Sequence, residues 1–383
     1  MKTYINKTFI ILLFCLISQP CLPNEKVKIG LLVPLTGEYS EIGKSIINSV
    51  RLALISINNP NIEVLPKDSG ADPEISLKAS KDLYENHNVK IIIGPVFNHS
   101  NKLLNKIPYV TFLSFTNKMT EKYPNVISSG VNALSQINAI KKFQEENELK
   151  RTLFLIPNSK YKSEIEKAIS LSKINFKDKF IYDTDPTLLT AQIEKITRYK
   201  QRKQNLIDEI NRLEKSNEEN KEKKIESLER RDTLGGINFD SVVITDFDEN
   251  LKSVATSLLY TDVSSKRVTY ITLNQWFDDT LTEELALQPI YFPSINKKNY
   301  EDFIKNYQIL FKKTPNQVSF LSYDLMGLVY YLIYKNEFNI NQNIFYEKNK
   351  FKGKIGVFEI NKNTITHELN FYSVDEQKFK KIF

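Results

Sequence analysis

The sequence predicts an α/β protein built as two lobes, in which each lobe is a mostly parallel sheet with helices on both faces. Three observations support this prediction. Short β-rich runs alternate with stretches whose apolar residues recur at helical intervals, the alternation restarts near residue 135, and a charged helical segment at 194–231 interrupts the second series. The 383 residues are sufficient for two such units.

The first series alternates β-rich runs with two helical segments. The first helical segment includes Val50 and Leu54 on one face, as the helical period requires. The pair Asp72-Pro73 begins the second, because aspartate caps a helix N-terminus and proline is tolerated in the first turn. The expected elements are strand 27–33, helix 42–55, strand 62–65, helix 72–85, and strands 89–93 and 109–114.

The second series shows the same alternation of strands and helices and is followed by additional elements towards the C-terminus. Helices alternate with apolar β-rich runs up to residue 273, and two helices and two strand-like stretches follow. Because parallel strands need a crossover connection, this order predicts a second sheet of the same type. The expected elements are helices 135–147, 163–172, 300–311 and 319–334, and strands 152–156, 179–182, 241–245, 268–273, 354–360 and 366–372.

The segment 194–231 differs from both series. It contains twelve Lys or Arg residues, nine Asp or Glu residues and no Gly or Pro. Tyr199, Leu206 and Leu213 fall seven residues apart, which gives a helix one narrow apolar seam. The polar stretch 216–220 favours a turn, so we expect a helical hairpin or one long helix that projects from the second lobe. This insertion is either a docking arm for another protein or a solvated spacer.

The N-terminus has the pattern of a secretory signal peptide. Lys2 and Lys7 precede an unbroken apolar run at 9–17, and a polar stretch follows. The run is shorter than the roughly 20 residues of a membrane span, so we expect an exported chain with no span after cleavage; an uncleaved anchor is the alternative. Lipid attachment at Cys21 is less favoured, because Pro20 stands where such sites have a small residue.

The composition argues against several classes of function. Two Cys and three His make a disulfide framework or a His/Cys metal site unexpected, and no cofactor is predicted. The net charge of +7 comes from 53 basic and 46 acidic residues. Such a mixed surface differs from the clustered basic face of proteins that bind nucleic acids, so no nucleic-acid partner is predicted.

Motifs for catalysis are absent or incomplete. Residues 37–45 follow a strand and open a helix like a phosphate-binding P-loop, but five residues instead of four separate Gly37 from Gly43. The three histidines are isolated in the sequence, and the Ser-x-x-Lys matches lack the companion motifs of penicillin-recognising enzymes. We therefore predict that the protein is not an enzyme.

Several motifs, taken in order, resemble one family of binding proteins. The matching stretches are 28–37 (KIGLLVPLTG) with Gly43, Asp68 with Asp72-Pro73, 91–95 (IIIGP), 151–157 (RTLFLIP) and 322–324 (SYD). This series resembles the type I periplasmic binding proteins of the leucine-binding type. The resemblance implies a periplasmic location and two lobes joined by three crossings, near Gly130, Tyr291 and Tyr346, with the ligand in the cleft between the lobes.

The resemblance and the expected elements together divide the chain into domains. The expected divisions are a signal peptide at 1–23, lobe one at 24–130 and 291–345, lobe two at 131–290 and 346–383, and the charged insertion at 194–231 within lobe two.

The resemblance also implies where an amino acid would be held. In this family, hydroxyl and backbone N–H groups bind the carboxylate and an acidic residue binds the ammonium, since each charge needs a partner when a zwitterion leaves water. By position, Asp246 or Asp248 would serve the ammonium, and Trp276 is either a cleft wall, a contact anchor or part of the core. Two alternatives remain for the implied cleft residues: they bind a ligand, or they only close the cleft. The implied cleft residues are Tyr39, Phe97, Ser100, Ser114, Phe115, Thr116, Tyr161, Asp246 and Trp276.

The charged segment and the stretches after it carry a narrower resemblance. The stretches are 232–235 (DTLG), 239–240 (FD), 260–262 (YTD) and 275–278 (QWFD). Together with the charged segment they are similar to penicillin-binding protein activators of the alphaproteobacterial type. That resemblance implies a protein that stimulates peptidoglycan synthases by contact.

Two functional hypotheses follow from these resemblances. The preferred one is a non-enzymatic periplasmic activator whose partner is a penicillin-binding protein or another cell-wall synthase, and the charged arm distinguishes it. The other is the solute receptor of an ABC importer for a branched-chain or other amino acid. That hypothesis requires a complete site for a zwitterion.

Overall fold

The computed structural model describes residues 26–118, 122–340 and 342–383. The expected signal peptide at 1–23 and Cys21 lie outside the described residues. The described chain forms two sheets with helices on their faces. This arrangement confirms the predicted α/β fold of two mostly parallel sheets.

The strands and helices are numbered here along the chain. The strands are β1 (Val27–Val33), β2 (Ile62–Asp68), β3 (Ile91–Ile93), β4 (Thr111–Ser114), β5 (Val126–Ser128), β6 (Thr152–Pro157), β7 (Asp178–Tyr182), β8 (Ser241–Ile244), β9 (Thr269–Thr272), β10 (Ile290–Ser294), β11 (Asn349–Lys352), β12 (Val357–Asn361), β13 (Thr364–Glu368), β14 (Asn370–Asp375) and β15 (Lys378–Lys381). The helices are α1 (Ser40–Ile57), α2 (Pro73–His87), α3 (Asn101–Leu104), α4 (Ala133–Glu146), α5 (Lys162–Ser172), α6 (Pro186–Ile196), α7 (Tyr199–Glu214), α8 (Lys221–Glu229), α9 (Asp248–Tyr260), α10 (Thr280–Glu283), α11 (Lys297–Phe311) and α12 (Gln317–Lys335).

The first sheet has the strand order β11-β12-β13-β5-β4-β3-β1-β2. The five strands from the N-terminal part of the chain are parallel, β13 joins them in parallel at β5, and β12 is antiparallel to both of its neighbours. Strand β1 is paired on both edges, and Lys28 is its only residue that is not fully buried. A parallel strand covered on both faces must be apolar throughout, which explains the continuous apolar run.

The second sheet has the strand order β15-β14-β10-β9-β8-β6-β7. Its five strands from β6 to β10 are parallel, and β14 and β15 add an antiparallel edge beside β10. The two sheets are therefore alike in plan: a parallel centre carries an antiparallel extension made from the end of the chain.

Helices α1 and α12 cover one face of the first sheet and pack closely against each other. The hydroxyl groups of Ser45 and Ser319 lie 2.6 Å apart, and the Ser49 hydroxyl donates to the Ser319 carbonyl over 2.5 Å. Small side chains at these positions let the helices approach. None of the helices in the described ranges is long and apolar enough to cross a membrane.

The last part of the chain is divided between the lobes differently from the prediction. Sequence analysis placed 346–383 in lobe two, but β11, β12 and β13 pair within the first sheet and only β14 and β15 pair within the second. It also placed residues from 291 onward in lobe one, whereas β10 lies in the second sheet. The third crossing is therefore at Leu369, between β13 and β14, and not near Tyr346. The reason is that one extended stretch, 364–375, pairs first with one sheet and then with the other.

The charged segment forms a helical hairpin, which is one of the two predicted forms. Helices α7 and α8 pack through an apolar cluster of Leu206, Leu213 and Leu228, and the polar stretch between them is a turn. The chain returns to its starting point, since the Leu234 N–H donates to the Arg202 carbonyl over 2.9 Å. We call residues 199–229 the arm.

Gly43 allows helix α1 to lie directly against the strand-exit loop. A Cβ atom at this position would lie 1.7 Å from the Pro34 carbonyl oxygen. Real atoms cannot approach so closely, so the backbone contact itself requires glycine. This requirement explains Gly43 without a phosphate.

We expect Gly43→Ala to destabilise the protein by at least about 2 kcal/mol, because the methyl group collides with backbone that cannot rotate away. Urea unfolding monitored by circular dichroism measures the change. Gly236→Ala is the matched control, since a Cβ there meets nothing within 4 Å. Equal unfolding midpoints for the two variants would contradict the explanation.

A buried carboxylate fixes the loop between β11 and β12. The side chain of Asp324, on α12, accepts hydrogen bonds from the backbone N–H groups of Lys354 and Ile355, each over 2.7 Å. Burial raises the pKa of Asp324 to about 6, although the two backbone hydrogen bonds oppose this shift.

Asp324 should make stability depend on pH. Its folded pKa of about 6 lies above the ordinary value of 3.8, so the stabilisation from proton uptake is complete below pH 3.8 and is lost as the pH rises through 6. We expect the difference in unfolding free energy between wild type and Asp324→Asn to fall by roughly 2–3 kcal/mol between pH 4 and pH 7. Urea titrations at several pH values measure this difference. Parallel curves would refute the assignment, and Asp302→Asn, at an exposed residue, is the control.

Candidate ligand-binding cleft

A cavity of about 370 Å³ lies between the two lobes. The first lobe supplies the loops after β3 and β4 and the start of α12, and the second lobe supplies the ends of β8 and β9. Both sets of loops lie at the carboxyl ends of parallel strands, where open α/β sheets bind ligands. The lining residues are Val96, Phe97, Asn98, Phe115, Thr116, Asn117, Lys118, Gly130, Val131, Gln136, Phe247, Asn274, Trp276, Gln317, Val318 and Leu321.

The loop after β3 provides an aromatic wall. The Phe97 ring packs edge-to-face against Tyr39 with centroids 4.8 Å apart, and the His99 ring stacks on its other side at 5.7 Å. Gly94 makes the loop's entry conformation available, since its φ is +122° and a Cβ would lie 2.2 Å from the Leu32 carbonyl oxygen. Tyr39 therefore supports the aromatic wall through its contact with Phe97, does not itself line the cavity, and is partly exposed.

The loop after β4 presents Phe115 and Thr116 to the cavity. Thr116 accepts a hydrogen bond from the Lys118 N–H over 3.1 Å, which turns the loop so that the Lys118 side chain is exposed at the cleft. Ser114 is fully buried below this loop, and its hydroxyl donates to the Pro95 carbonyl over 3.2 Å. The Ser114 hydroxyl thus ties the two first-lobe loops together.

In the second lobe, Asp246 is buried and its carboxylate is fully engaged. It accepts hydrogen bonds from the hydroxyls of Tyr161, over 2.9 Å, and Tyr182, over 2.5 Å, and from the Phe247 N–H over 2.9 Å. Burial and the neighbouring carboxylate raise the pKa of both tyrosines, which stay protonated as donors. Only about 2% of Asp246 is exposed, and Phe247 is the neighbour that faces the cavity.

Asn274 has a fixed orientation at the end of β9. Its side-chain oxygen accepts from the Trp276 N–H over 2.9 Å and from the Ser294 hydroxyl over 2.8 Å, so the oxygen and nitrogen cannot be exchanged. Its side-chain nitrogen has no hydrogen-bond partner among the described residues, although the residue is 97% buried. Trp276 and Phe277 follow with φ of +50° and +59°, conformations that are strained for bulky residues and that cluster at functional sites.

The structure brings together four of the implied cleft residues, and it places the others around them. Phe97, Phe115, Thr116 and Trp276 line the cavity. Tyr39 lies at the rim, Ser100 and Ser114 are buried beneath the first-lobe loops, and Tyr161 and Asp246 lie behind Phe247. Asp248 is exposed at the start of α9 and does not line the cavity.

Sequence reasoning missed several polar residues of the cavity, above all Gln136 and Asn274. The Gln136 side-chain oxygen accepts from the Asn274 N–H over 2.8 Å, so the two residues link α4 to the end of β9. A signal for Asn274 was present, because it directly follows an expected parallel strand at its carboxyl end. Within the described ranges, no group of three or more His, Cys, Asp or Glu side chains is arranged to hold a metal ion.

The sequence model of the periplasmic binding protein family matches residues 26–173. A branched-chain amino acid ABC transporter ligand-binding protein from Burkholderia xenovorans has a similar structure, with a TM-score of 0.65, 10% identity and coverage of 94% of this chain and 95% of that one. The protein therefore has the type I periplasmic-binding-protein fold. The predicted resemblance to the leucine-binding type is confirmed.

Two further similarities concern regulators and receptors. The C-domain of LpoA from Haemophilus influenzae, described as a regulator of PBP1A, has a TM-score of 0.62 and 14% identity, and the match covers 93% of this chain and 100% of that one. Glutamate receptor 1.1 from Arabidopsis thaliana is 29% identical over 168 residues. That match covers 41% of this chain and only 20% of the receptor, so the chain spans a small part of that relative. The matched family and these proteins are binding proteins, a receptor and a regulator.

Asp246→Asn should destabilise the second lobe by roughly 2–3 kcal/mol, because a single amide oxygen cannot accept from two tyrosine hydroxyls and a backbone N–H. Chemical unfolding at neutral pH measures the loss. Asp248→Asn is the control and should change stability by less than about 0.5 kcal/mol, as expected for an exposed residue. Similar unfolding curves for the two variants would show that the Asp246 cluster is not structural.

Proposed function

We propose that the protein is a non-enzymatic periplasmic activator of peptidoglycan synthesis, which acts by contact with a penicillin-binding protein or another cell-wall synthase. The observation that carries this proposal is the arm, residues 199–229, which is a folded and anchored hairpin added to the second lobe. The likeness of the fold to the LpoA C-domain supports it.

The arm is held to the second lobe by a buried arginine. The Arg202 guanidinium, 3% exposed, donates to the carbonyls of Thr197 and Thr261 and to the Thr233 hydroxyl. Asp262 lies 3.8 Å away and also accepts from Thr233 over 2.5 Å. A buried charge is costly unless it is paired in a defined geometry, so this cluster sets one orientation for the arm. A solvated spacer would not need such an anchor.

The outer surface of the arm is charged, because its apolar seam is used within the hairpin. Arg212 pairs with Glu209 and Glu218, and Lys224 also pairs with Glu218. Lys203, Lys215 and Lys223 form no ion pair with a described residue. With twelve basic and nine acidic residues in 194–231, the excess is three positive charges. We therefore propose that the arm meets an acidic surface of the synthase, an attraction that salt should weaken.

The test replaces 203–232 with a short glycine-serine loop, which keeps Arg202 and the second-lobe residues that bind it. Glycan polymerisation by each bifunctional penicillin-binding protein purified from the source organism is measured with and without the protein. We expect wild type to raise the rate and the armless variant to lose most of this effect.

A charge-reversal series makes the test specific. Lys203, Lys215 and Lys223 are changed together to Glu, and the control changes Lys78, Lys81 and Lys102, exposed on the first lobe, to Glu. Stimulation should fall only in the arm variant, and wild-type stimulation should fall as salt rises. Stimulation that is unchanged without the arm would remove the arm as the contact, and no stimulation of any synthase by wild type would overturn the proposal.

A second candidate function is supported by the cavity. A cavity between two lobes, lined by apolar side chains and a few polar ones, is what the receptor of an ABC importer needs. The structural likeness to the Burkholderia ligand-binding protein supports the same hypothesis.

A further inference from the structure

We infer that a cavity at the base of the arm binds a phosphoryl group, carried by a phosphate ester or a diphosphate. This inference goes beyond the proposed function, because the binding requires neither the cleft between the lobes nor contact with a synthase. It follows from the residues that line the cavity, from the concentration of arginine there, and from the donors that these arginines keep available.

The cavity lies where the chain leaves the arm and rejoins the second lobe. Its volume is about 490 Å³, which is within the range of small-molecule sites and larger than a single phosphate ion requires. None of the described lining residues carries an apolar side chain, so the space favours a polar ligand. The described lining residues are Arg230, Arg231, Asp232, Thr233, Gly235, Asp262 and Arg267.

Arginine is concentrated at this cavity in a chain that otherwise uses lysine. Only 8 of the 53 basic residues in the sequence are arginine, and three of the 8 line the cavity. A fourth, Arg202, is buried beside it and donates to the lining residue Thr233 over 2.9 Å. The planar guanidinium group binds two oxygens of one anion through parallel hydrogen bonds, whereas lysine acts as a point charge. The residue type concentrated here is therefore the one that recognises oxyanions.

The three lining arginines keep donors that the fold does not use. The Arg231 side chain is exposed and forms no hydrogen bond or ion pair with a described residue. Arg267 bonds to the carbonyl and carboxylate of Asp262 through one terminal nitrogen, and Arg230 bonds to Glu226 through one terminal nitrogen. Arg230 and Arg231 directly follow α8, and Arg267 precedes β9, so donors come from the end of the arm and from the lobe itself.

The class of ligand follows from the number and direction of these donors. A phosphoryl group has three acceptor oxygens that point in different directions, so it can accept from the arm and from the lobe at once. A carboxylate has two oxygens in one plane, and a single guanidinium group can occupy both. Donors on two sides of one cavity therefore favour a phosphoryl group over a carboxylate.

Two nearby carboxylates affect the binding of an anion differently. Asp262 pairs with Arg267 over 2.5 Å and accepts from the Thr233 hydroxyl over 2.5 Å, so its charge is balanced within the fold. Asp232 is exposed at the cavity and forms no ion pair with a described residue. Its charge repels an anion, so its removal should strengthen binding, whereas removal would weaken the binding of a cation.

The test compares glycerol 3-phosphate and pyrophosphate with succinate by isothermal titration calorimetry on the wild-type protein, at one ionic strength. We expect both phosphates to bind at least about tenfold more tightly than succinate, which is a dianion with carboxylate groups only. Binding of the phosphates should weaken as salt rises. Succinate binding as tight as that of the phosphates would overturn the inference, and so would absence of binding by both phosphates at millimolar concentration.

Variants assign the binding to the cavity. Arg231→Gln should weaken phosphate binding at least about tenfold, because it removes available donors without removing a contact of the fold. Asp232→Asn should strengthen it roughly two- to fivefold, as expected for an exposed charge. Arg51→Gln is the matched control, since Arg51 is exposed on α1 and forms no ion pair with a described residue. Unchanged affinity in both cavity variants, or an equal loss in the control, would refute the site.

Vesicles distinguish a soluble ligand from a lipid headgroup. The protein is sedimented with phosphatidylcholine vesicles that contain or lack phosphatidic acid, whose headgroup is the same phosphoryl group. Sedimentation that requires phosphatidic acid and is lost in Arg231→Gln supports a lipid source, and binding of glycerol 3-phosphate without sedimentation supports a soluble one. Neither assay contains a synthase, so failure here and failure in the polymerisation assay are distinguishable.

Discussion

The arrangement of the two lobes depends on a buried set of hydrogen bonds between uncharged groups, at the place where the chain crosses between the lobes. The Asn132 side chain donates to the Ile365 carbonyl over 2.8 Å and accepts from the Ser135 N–H, and the His367 ring donates to the Ser129 carbonyl over 2.9 Å. Burial lowers the pKa of His367 to about 4, so the imidazole stays neutral near neutral pH. Because these bonds join the first and third crossings, they set the spacing of the loops that face each other across the cleft.

Much of this fold could be predicted from the sequence, and the exceptions have two physical causes. The pattern places β1 at its observed bounds, since a parallel strand buried on both faces needs an unbroken apolar run. The stretch 366–372 was predicted as one strand, yet β13 ends at Glu368 in one sheet and β14 begins at Asn370 in the other. Local pattern shows that a stretch is extended but not which sheet it pairs with. Strand β10 was missed because Pro293 lies within it, and proline is a signal against a strand interior.

The candidate site was predictable as a location and less so as a set of side chains. Phe97, Thr116 and Trp276 were found because the family resemblance implied them by position, and all three follow the carboxyl ends of parallel strands. Which polar group is already hydrogen-bonded depends on tertiary partners: Asp246 accepts from tyrosines of β7 and the start of α5, whereas the Asn274 side-chain nitrogen has no partner among the described residues. The sequence alone does not show whether a polar side chain is already hydrogen-bonded within the fold. The chemistry of the cleft therefore comes from the packing around it and not from its residue types alone.

One helix of the second lobe, α9, runs from the wall of the cleft to the base of the arm. Helix α9 begins directly after Phe247, at the cavity wall, and ends at Tyr260. The carbonyl of the next residue, Thr261, accepts a hydrogen bond from Arg202 at the root of the arm. The 13 residues of the helix span roughly 20 Å. A ligand can influence the arm through this helix only if it binds two arrangements of the helix with different affinity, since a rigid connection by itself transmits no free energy. The hydrogen bonds around Asp246 fix one end of the helix, and those around Arg202 fix the other. A movement of the helix must therefore rearrange at least one of these buried polar clusters.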